Sequence, residues 1–256
     1  MDPWHIETDG NAALATWCRE LPTAADNPTR QIVHQQRNLL LRLDSPAGPV
    51  VAKRWRSTGL KKLLNPGSSK AERSYQAAIR LAQMGLPTPP ALAWAQRPIP
   101  GGIESWYCCA ARDDSRTLYT WTHGDRGGDH DWARQLHAAG ALTARLHAAG
   151  VEQRDLTPGN LIVSTAGMEL IDLNRIHFHP GPLPPAIRWR NLAMIGCGIT
   201  ERGSAVVAGY AAGSGLPRED VRIAYQNALR AHNRRWRCKD GTRTLRHALR
   251  RALREG

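Results

Sequence analysis

The sequence predicts an α+β protein of two lobes, a small β-rich lobe followed by a mainly helical one. Three observations predict it. Between Arg30 and Trp55 the runs "RQIVHQ", "NLLLRLD" and "PVVAKRW" read as short strands, and "SPAG" at Ser45–Gly48 reads as a hairpin turn. Further on, "DHDWARQLHAAGALTARLHAAG" sets Trp132, Leu136, Ala139, Leu142 and Leu146 at helical spacing. After residue 185 almost every segment has a helical pattern. A chain of 256 residues suits one large domain or two joined lobes, here expected at 1–112 and 113–256.

The elements follow in order. Residues 1–29 hold one short helix near Ala12–Leu21. The hairpin is followed by a basic stretch, "RSTGLKKLLNPGSSK". Next, "SSKAERSYQAAIRLAQMG" reads as a helix, with Ser68 or Ser69 as N-cap and Gly85 as its stop. "LPTPPALAWAQRP" reads as an extended connector punctuated by proline, and "GGIESWYCCAARDD" contains a strand. In the second half "NLIV" and "MELIDL" are short strands around the turn "STAG". "HPGPLPP" is a loop. The helices "AIRWRNLAMIGCG", "SAVVAGYAAG" and "REDVRIAYQNALRAHNRRW" follow, and then a basic tail helix, "GTRTLRHALRRALREG".

Composition narrows the function. Thirty-five Lys and Arg against 22 Asp and Glu give a net charge of +13. Such a balance points to an anionic partner, namely nucleic acid, acidic lipid headgroups or a phosphorylated glycan, or else to solvated arginine faces. The five cysteines are odd in number and form no C-x-x-C pair, so neither a zinc nor a redox site is expected. Cys108 and Cys109 are expected as buried thiols in a reducing compartment. The start "MDPWHIETDG" has no signal-peptide pattern, and no apolar run reaches membrane-spanning length. The expected location is cytoplasmic, with peripheral membrane contact left open. Leu245, Leu249 and Leu253 form a stripe on the tail helix that suits docking on the protein's own core or lying on a membrane.

The chemistry concentrates in "GVEQRDLTPGNLIVSTAGMELIDLNRIHF". Asp155 is followed five residues later by Asn160, and the strand–turn–strand segment then ends on Asp172. Phosphoryl transfer asks a protein mainly for positioning and charge neutralisation around a triphosphate. One carboxylate, Asp155, would orient or deprotonate an acceptor hydroxyl. Asp172 and the amide oxygen of Asn160 would hold Mg²⁺.

These residues carry a family resemblance. "QRDLTPGN" resembles the protein-kinase catalytic loop, "IDLN" its metal-binding D-F-G, and "VVAKRW" its V-A-I-K strand. The resemblance implies a protein-kinase-like two-lobe fold that uses ATP and Mg²⁺. Lys53 would reach the α- and β-phosphates, Glu72 of the next helix would be its ion-pair partner, and backbone near Cys109–Asp113, chiefly Cys109, Ala110 and Ala111, would contact adenine. The loop expected over the phosphates, near His34–Asn38, has no glycine, and Arg37 is the expected substitute.

"VAKRWRSTGLKKLL", "SKAERSYQAAIRLAQMGLPTPPALAWAQ", "LHAAGVEQRDLTPGNLIV", "ELIDLNRI" and "RWRNLAMI" together resemble the bacterial lipopolysaccharide core kinase family, over roughly Val50 to Ile195. The resemblance implies phosphorylation of Kdo or heptose at the cytoplasmic face of the inner membrane. The partners are then ATP and an anionic glycan, with nucleic acid not expected.

Several positions depart from kinase patterns. Gln153 stands where His is usual, and Asn191 where an Asp braces the catalytic loop. Asn174 and Arg175 follow the metal Asp in place of the D-F-G glycine. Residues 173–190 contain no Ser, Thr or Tyr, so no phosphorylation switch lies within them. Arg154 is left between pairing with a structural acid and meeting an anionic acceptor. Two other readings stand beside the main one: another small-molecule kinase of the aminoglycoside or choline type, and a catalytically weak pseudokinase that binds an anionic partner. Binding of nucleic acid without kinase chemistry would rest on charge alone.

Overall fold

The computed structural model describes residues 3–27, 31–35, 38–58, 67–123, 131–196 and 202–235. Arg37, Cys197, Cys238, the tail helix and residues 59–66 of the basic stretch lie outside the described residues. The chain divides into two compact units, Met1–Ser115 with Ser164–Ile176, and Arg116–Val163 with His177–Gly256.

The first unit is built on a six-stranded antiparallel sheet. Its strands are β1 (His5–Glu7), β2 (Gln31–Gln35), β3 (Leu39–Ser45), β4 (Gly48–Thr58), β5 (Ala91–Ile99) and β6 (Gly102–Ala110), in the order β1-β5-β6-β4-β3-β2. The β3–β4 hairpin closes with Ser45 opposite Gly48, whose φ of +93° is open to glycine without steric cost. Short helices α1 (Ala12–Cys18) and α2 (Leu21–Asp26) cover one face of the sheet. Leu14, Cys18 and Leu21 pack there with Leu41, Ala52, Ala93, Ala95, Trp106 and Cys108.

Two expectations are corrected here. The single N-terminal helix is two helices, because Pro22 opens a second one. The proline-punctuated connector contains all of strand β5 but its last residue, Ile99. Its Ala91, Ala93 and Ala95 are weak strand formers; pairing with β6 holds all three extended, and β1 pairs with Ala95 as well.

The helix α3 (Lys70–Gln83) begins with a capping box: the Ser69 side chain accepts from Glu72 N–H, and the Glu72 carboxylate accepts from Ser69 N–H. Its buried face is Ala71, Ser74, Tyr75, Ala77, Ala78 and Leu81. Part of the basic charge is spent on structure. Glu104 is fully buried on β6, and its cross-strand neighbours Arg56 and Arg97 bond it at 2.8 and 3.0 Å.

The second unit is mainly helical. β7 (Arg116–Thr117), α4 (Leu118–His123) and α5 (Asp131–Ala148) lead into β8 (Val151–Gln153) and β9 (Leu161–Ser164), and β9 pairs with β7. Then come α6 (Pro185–Ile195), α7 (Gly203–Ser214) and α8, residues 218–235. α5 and α7 touch backbone to backbone. A Cβ on Gly140 would lie 2.2 Å from the Val206 carbonyl oxygen, and one on Gly209 1.8 Å from that of His137, so only glycine fits. Among the described residues no helix is long and apolar enough to cross a membrane.

Candidate active site

The segment that ends at Asp172 is fixed within the first unit by three kinds of bond. Leu170 N–H donates to the Pro87 carbonyl at 3.0 Å, and the Thr88 hydroxyl donates to the Leu170 carbonyl at 2.8 Å. One residue earlier, Arg112 forms a fork on Glu169 at 2.7 and 2.9 Å. Asp172 therefore follows an anchored strand, Gly167–Leu170.

Lys53 lies on β4, and its Nζ donates to Asp172 Oδ1 at 2.6 Å. The ammonium also sits 5.1 Å from the Trp55 ring centroid. Asn174 Nδ2 donates to the same Asp172 oxygen at 2.6 Å. Asp172 has left-handed backbone, φ +57° and ψ +56°, and Asp9 is the other described non-glycine residue at positive φ. This conformation costs of order 1 kcal/mol or more, and such costs gather at functional sites.

Lys53 pairs with Asp172, not with Glu72, whose carboxylate belongs to the capping box. The buried face of α3 carries no acid. The spacing Ser69-x-x-Glu72 was itself a capping signal, and it competes with the catalytic reading of Glu72.

At the end of β6 the Cys109 thiol is pushed up to about 12 by burial, so it stays protonated at neutral pH. Cys108 is buried and Cys109 half-buried, both free. The N–H groups of Ala110 and Ala111 donate to the Pro90 and Pro49 carbonyls, each at 2.9 Å. Those two donors are thus committed within the unit.

In the second unit the loop expected to be catalytic runs from β8 through Arg154 and Asp155 into a 3₁₀ turn, Pro158–Asn160. The loop folds on itself. Thr157 N–H and Asn160 Nδ2 both donate to the Asp155 carbonyl at 2.8 Å, and Asn160 N–H donates to the Thr157 carbonyl at 2.9 Å. The Asn160 amide is thereby oriented through its nitrogen, which leaves its oxygen as the ligand-type atom.

A buried chain of neutral groups holds the entry to this loop. The Gln153 side-chain oxygen accepts from Asp155 N–H at 3.3 Å. Asn191 Nδ2 donates to the Gln153 carbonyl at 2.6 Å, and Asn191 Oδ1 meets His147 Nε2 at 3.1 Å. His147 Nδ1 meets the Tyr210 hydroxyl at 3.0 Å. Burial lowers His147 to about 4, so it is neutral near pH 7. The network then assigns the proton to Nε2, which donates to Asn191, while Nδ1 accepts from Tyr210. Asn191 thus braces the loop by donating, which an aspartate could not do. His147 and Tyr210 were not singled out in the sequence, where each reads as one more core residue.

Arg154 has Glu152 as a structural acid, with Nε 3.8 Å from its Oε2. Burial pushes Glu152 up, but bonds from His179 and Arg190 outweigh it and hold the carboxyl below its ordinary value.

Among the described residues no group of three His, Cys, Asp or Glu could hold a metal by itself. The oxygens of Asp172 and Asn160 are nevertheless hard donors of the type Mg²⁺ takes. Mg²⁺ in phosphoryl-transfer sites is held by one or two such groups together with substrate phosphates. Each of the two residues, Asp172 in the first unit and Asn160 in the second, carries a donor that fits that kind of ion.

Residues 55–191, more than half of the chain, match the model of the lipopolysaccharide kinase (Kdo/WaaP) family. The chain belongs to this family. As a Kdo/WaaP kinase it is a phosphotransferase, and membership implies ATP and a glycan acceptor. The matched span contains Glu72, Asp155, Asn160, Asp172 and Asn191 and begins just after Lys53. A solved structure described as WaaP in complex with acyl carrier protein superimposes with a TM-score of 0.61. It covers 90% of this chain and 97% of that one at 17% identity, and establishes a protein-kinase-like fold. A search of curated proteins returns no match.

Proposed function

We propose that this Kdo/WaaP-family kinase transfers the γ-phosphoryl group of ATP to a sugar hydroxyl, of Kdo or heptose, in the lipopolysaccharide inner core. The observation that carries the reading is the 2.6 Å contact between Lys53 and an Asp172 held in left-handed backbone. A cation on the central strand and a strained, doubly bonded carboxylate are the parts a triphosphate needs.

Lys53 pairs with the α- and β-phosphates. Asp155 accepts the proton of the acceptor hydroxyl as its oxygen bonds to the γ-phosphorus and the bond to the ADP oxygen breaks. Asn160 and Asp172 would hold Mg²⁺, whose chemistry is charge neutralisation between the phosphates. The adenine edge is read by backbone in Cys109–Asp113. With the Ala110 and Ala111 N–H groups committed to Pro90 and Pro49, their carbonyls or the next residues supply the contact. The net charge of +13 supports an anionic acceptor and work at the cytoplasmic face of an anionic membrane.

The test is a thermal-shift titration with ATP, with and without Mg²⁺, beside transfer of labelled phosphate to deacylated core oligosaccharide. MgATP at a hundredfold excess over Kd should stabilise the protein by about 2.7 kcal/mol. Asp172→Ala should lose the Mg²⁺-dependent part, and its transfer rate should fall by about 10²–10³ or more. A folded protein with neither shift nor transfer favours the pseudokinase reading. One observation supports that alternative: Glu72 is used in a helix cap, so Lys53 has no partner on α3.

A further inference from the structure

A cavity of about 540 Å³ lies beside the catalytic loop, wholly within the second unit. Its polar wall is Glu152, Arg154, His179, Arg190, His232 and Arg235, and Ile187 and Met194 add apolar surface. The size falls in the range of small-ligand sites, roughly 300–1,000 Å³. Three guanidinium groups share this wall with one carboxylate.

Glu152 is buried, and its two oxygens are already occupied: Oε1 accepts from Arg190 at 2.8 Å and Oε2 bonds His179 at 3.1 Å. One carboxylate offsets one of the three guanidinium charges and leaves the wall net positive. The side chains of Arg154 and Arg190 remain 59% and 52% exposed, so their outer N–H groups can take a second partner. Arg235, on the last turn of α8, has no partner among the described residues. Guanidinium groups gathered around one acid repel each other, and an oxyanion that bridges them relieves this while using their paired donors.

Residues 173–190, which supply His179 and Arg190 to the wall, contain no Ser, Thr or Tyr that could carry a phosphate. Arg154, which lines the cavity, immediately precedes Asp155, the residue assigned to the acceptor hydroxyl. We propose that this cavity binds an oxyanion, phosphate or carboxylate, on the acceptor glycan, with Arg154, Arg190 and Arg235 as its ligands. This inference rests on the sugar-kinase reading for the identity of the glycan.

The experiment compares wild type with Arg235→Gln and Arg190→Gln. Arg235 is exposed on a helix, so its variant tests the site without disturbing the buried Glu152. Acceptors are deacylated core oligosaccharide as isolated, enzymatically dephosphorylated, or carboxyl-reduced. Each variant should raise the acceptor KM about tenfold with kcat within about twofold and the MgATP thermal shift unchanged. Inorganic phosphate should compete with the acceptor in wild type and much less in the variants. Loss of affinity on dephosphorylation identifies phosphate as the anion; loss on carboxyl reduction identifies carboxylate. An acceptor KM that neither variant nor either treatment alters overturns the proposal. If wild type neither binds ATP nor transfers phosphate, the kinase reading fails separately. The cavity is then decided by NMR of the His179 and His232 rings during titration with inorganic phosphate. Shifts that Arg235→Gln abolishes uphold an anion site, and their absence rejects it.

Discussion

The Lys53–Asp172 contact and the His147–Asn191–Gln153 brace hold functional backbone by opposite means. The first is a pair of full charges, with Lys53 and Asp172 side chains 16% and 28% exposed. The second is a file of neutral groups, each almost fully buried. A charged pair near solvent contributes little to stability and can exchange partners, which suits the proposed contact with phosphates. Neutral buried groups avoid the desolvation of ions, and each is costly to leave unpaired. The comparison teaches that chemistry and support are separated by charge as well as by place.

The contrast can be broken most severely at Asn191. Asn191→Leu removes the bond to the Gln153 carbonyl and takes the acceptor from the buried His147 Nε2–H. The expected loss is about 2–5 kcal/mol of unfolding free energy, read by urea denaturation. A loss under about 1 kcal/mol would mean that water or a shifted side chain replaces the brace.

His147 gives the next largest effect and sharpens the claim of neutrality. Its folded value, about 4, lies below the ordinary 6.5. Between these values the unfolded chain binds more protons. Stability from this group is therefore complete above about pH 6.5 and is lost as pH falls toward 4, by up to about 3 kcal/mol. NMR titration of the His147 ring in the folded protein should show a midpoint near 4. Asn191→Asp should move that midpoint upward, since a carboxylate favours the imidazolium. A wild-type midpoint near 6.5 would contradict the neutral brace.

The smallest effect is expected at Glu72. Glu72→Gln retains a side chain able to close the capping box, so stability should change by less than about 0.5 kcal/mol and the transfer rate by less than about twofold. A fall in rate of tenfold or more with unchanged stability would restore Glu72 as the catalytic partner of Lys53.

Much of this was legible in the chain. Asp155, Thr157 and Asn160 are close in sequence, and a short turn brings their bonds together with little help from elsewhere. The hairpin β3–β4 announced itself by alternation and a turn, and the helix after it by a cap and a stop. β5 was missed because alanine carries almost no strand signal, and its pairing came from neighbours. Glu72 satisfies two local patterns, and in this structure its carboxylate closes the helix cap while Lys53 meets Asp172. Composition counts the arginines of "KRWR" only as positive charge, yet Arg56 binds the buried Glu104. Cross-strand register decides that, and composition does not report register.

Local spacing laid out the parts in order: a lysine on a strand, a loop with Asp155 and Asn160, an Asp172 beyond the next turn. These depend on local periodicity and short spacing, which a chain carries wherever it folds. Only the tertiary structure decided the partners. Lys53 and Asp172 are 119 residues apart, and Asn191 and Gln153 are 38 apart. Which of several acids a lysine meets, and whether an amide donates or accepts, depends on packing that brings distant segments within about 3 Å, where a hydrogen bond forms or fails.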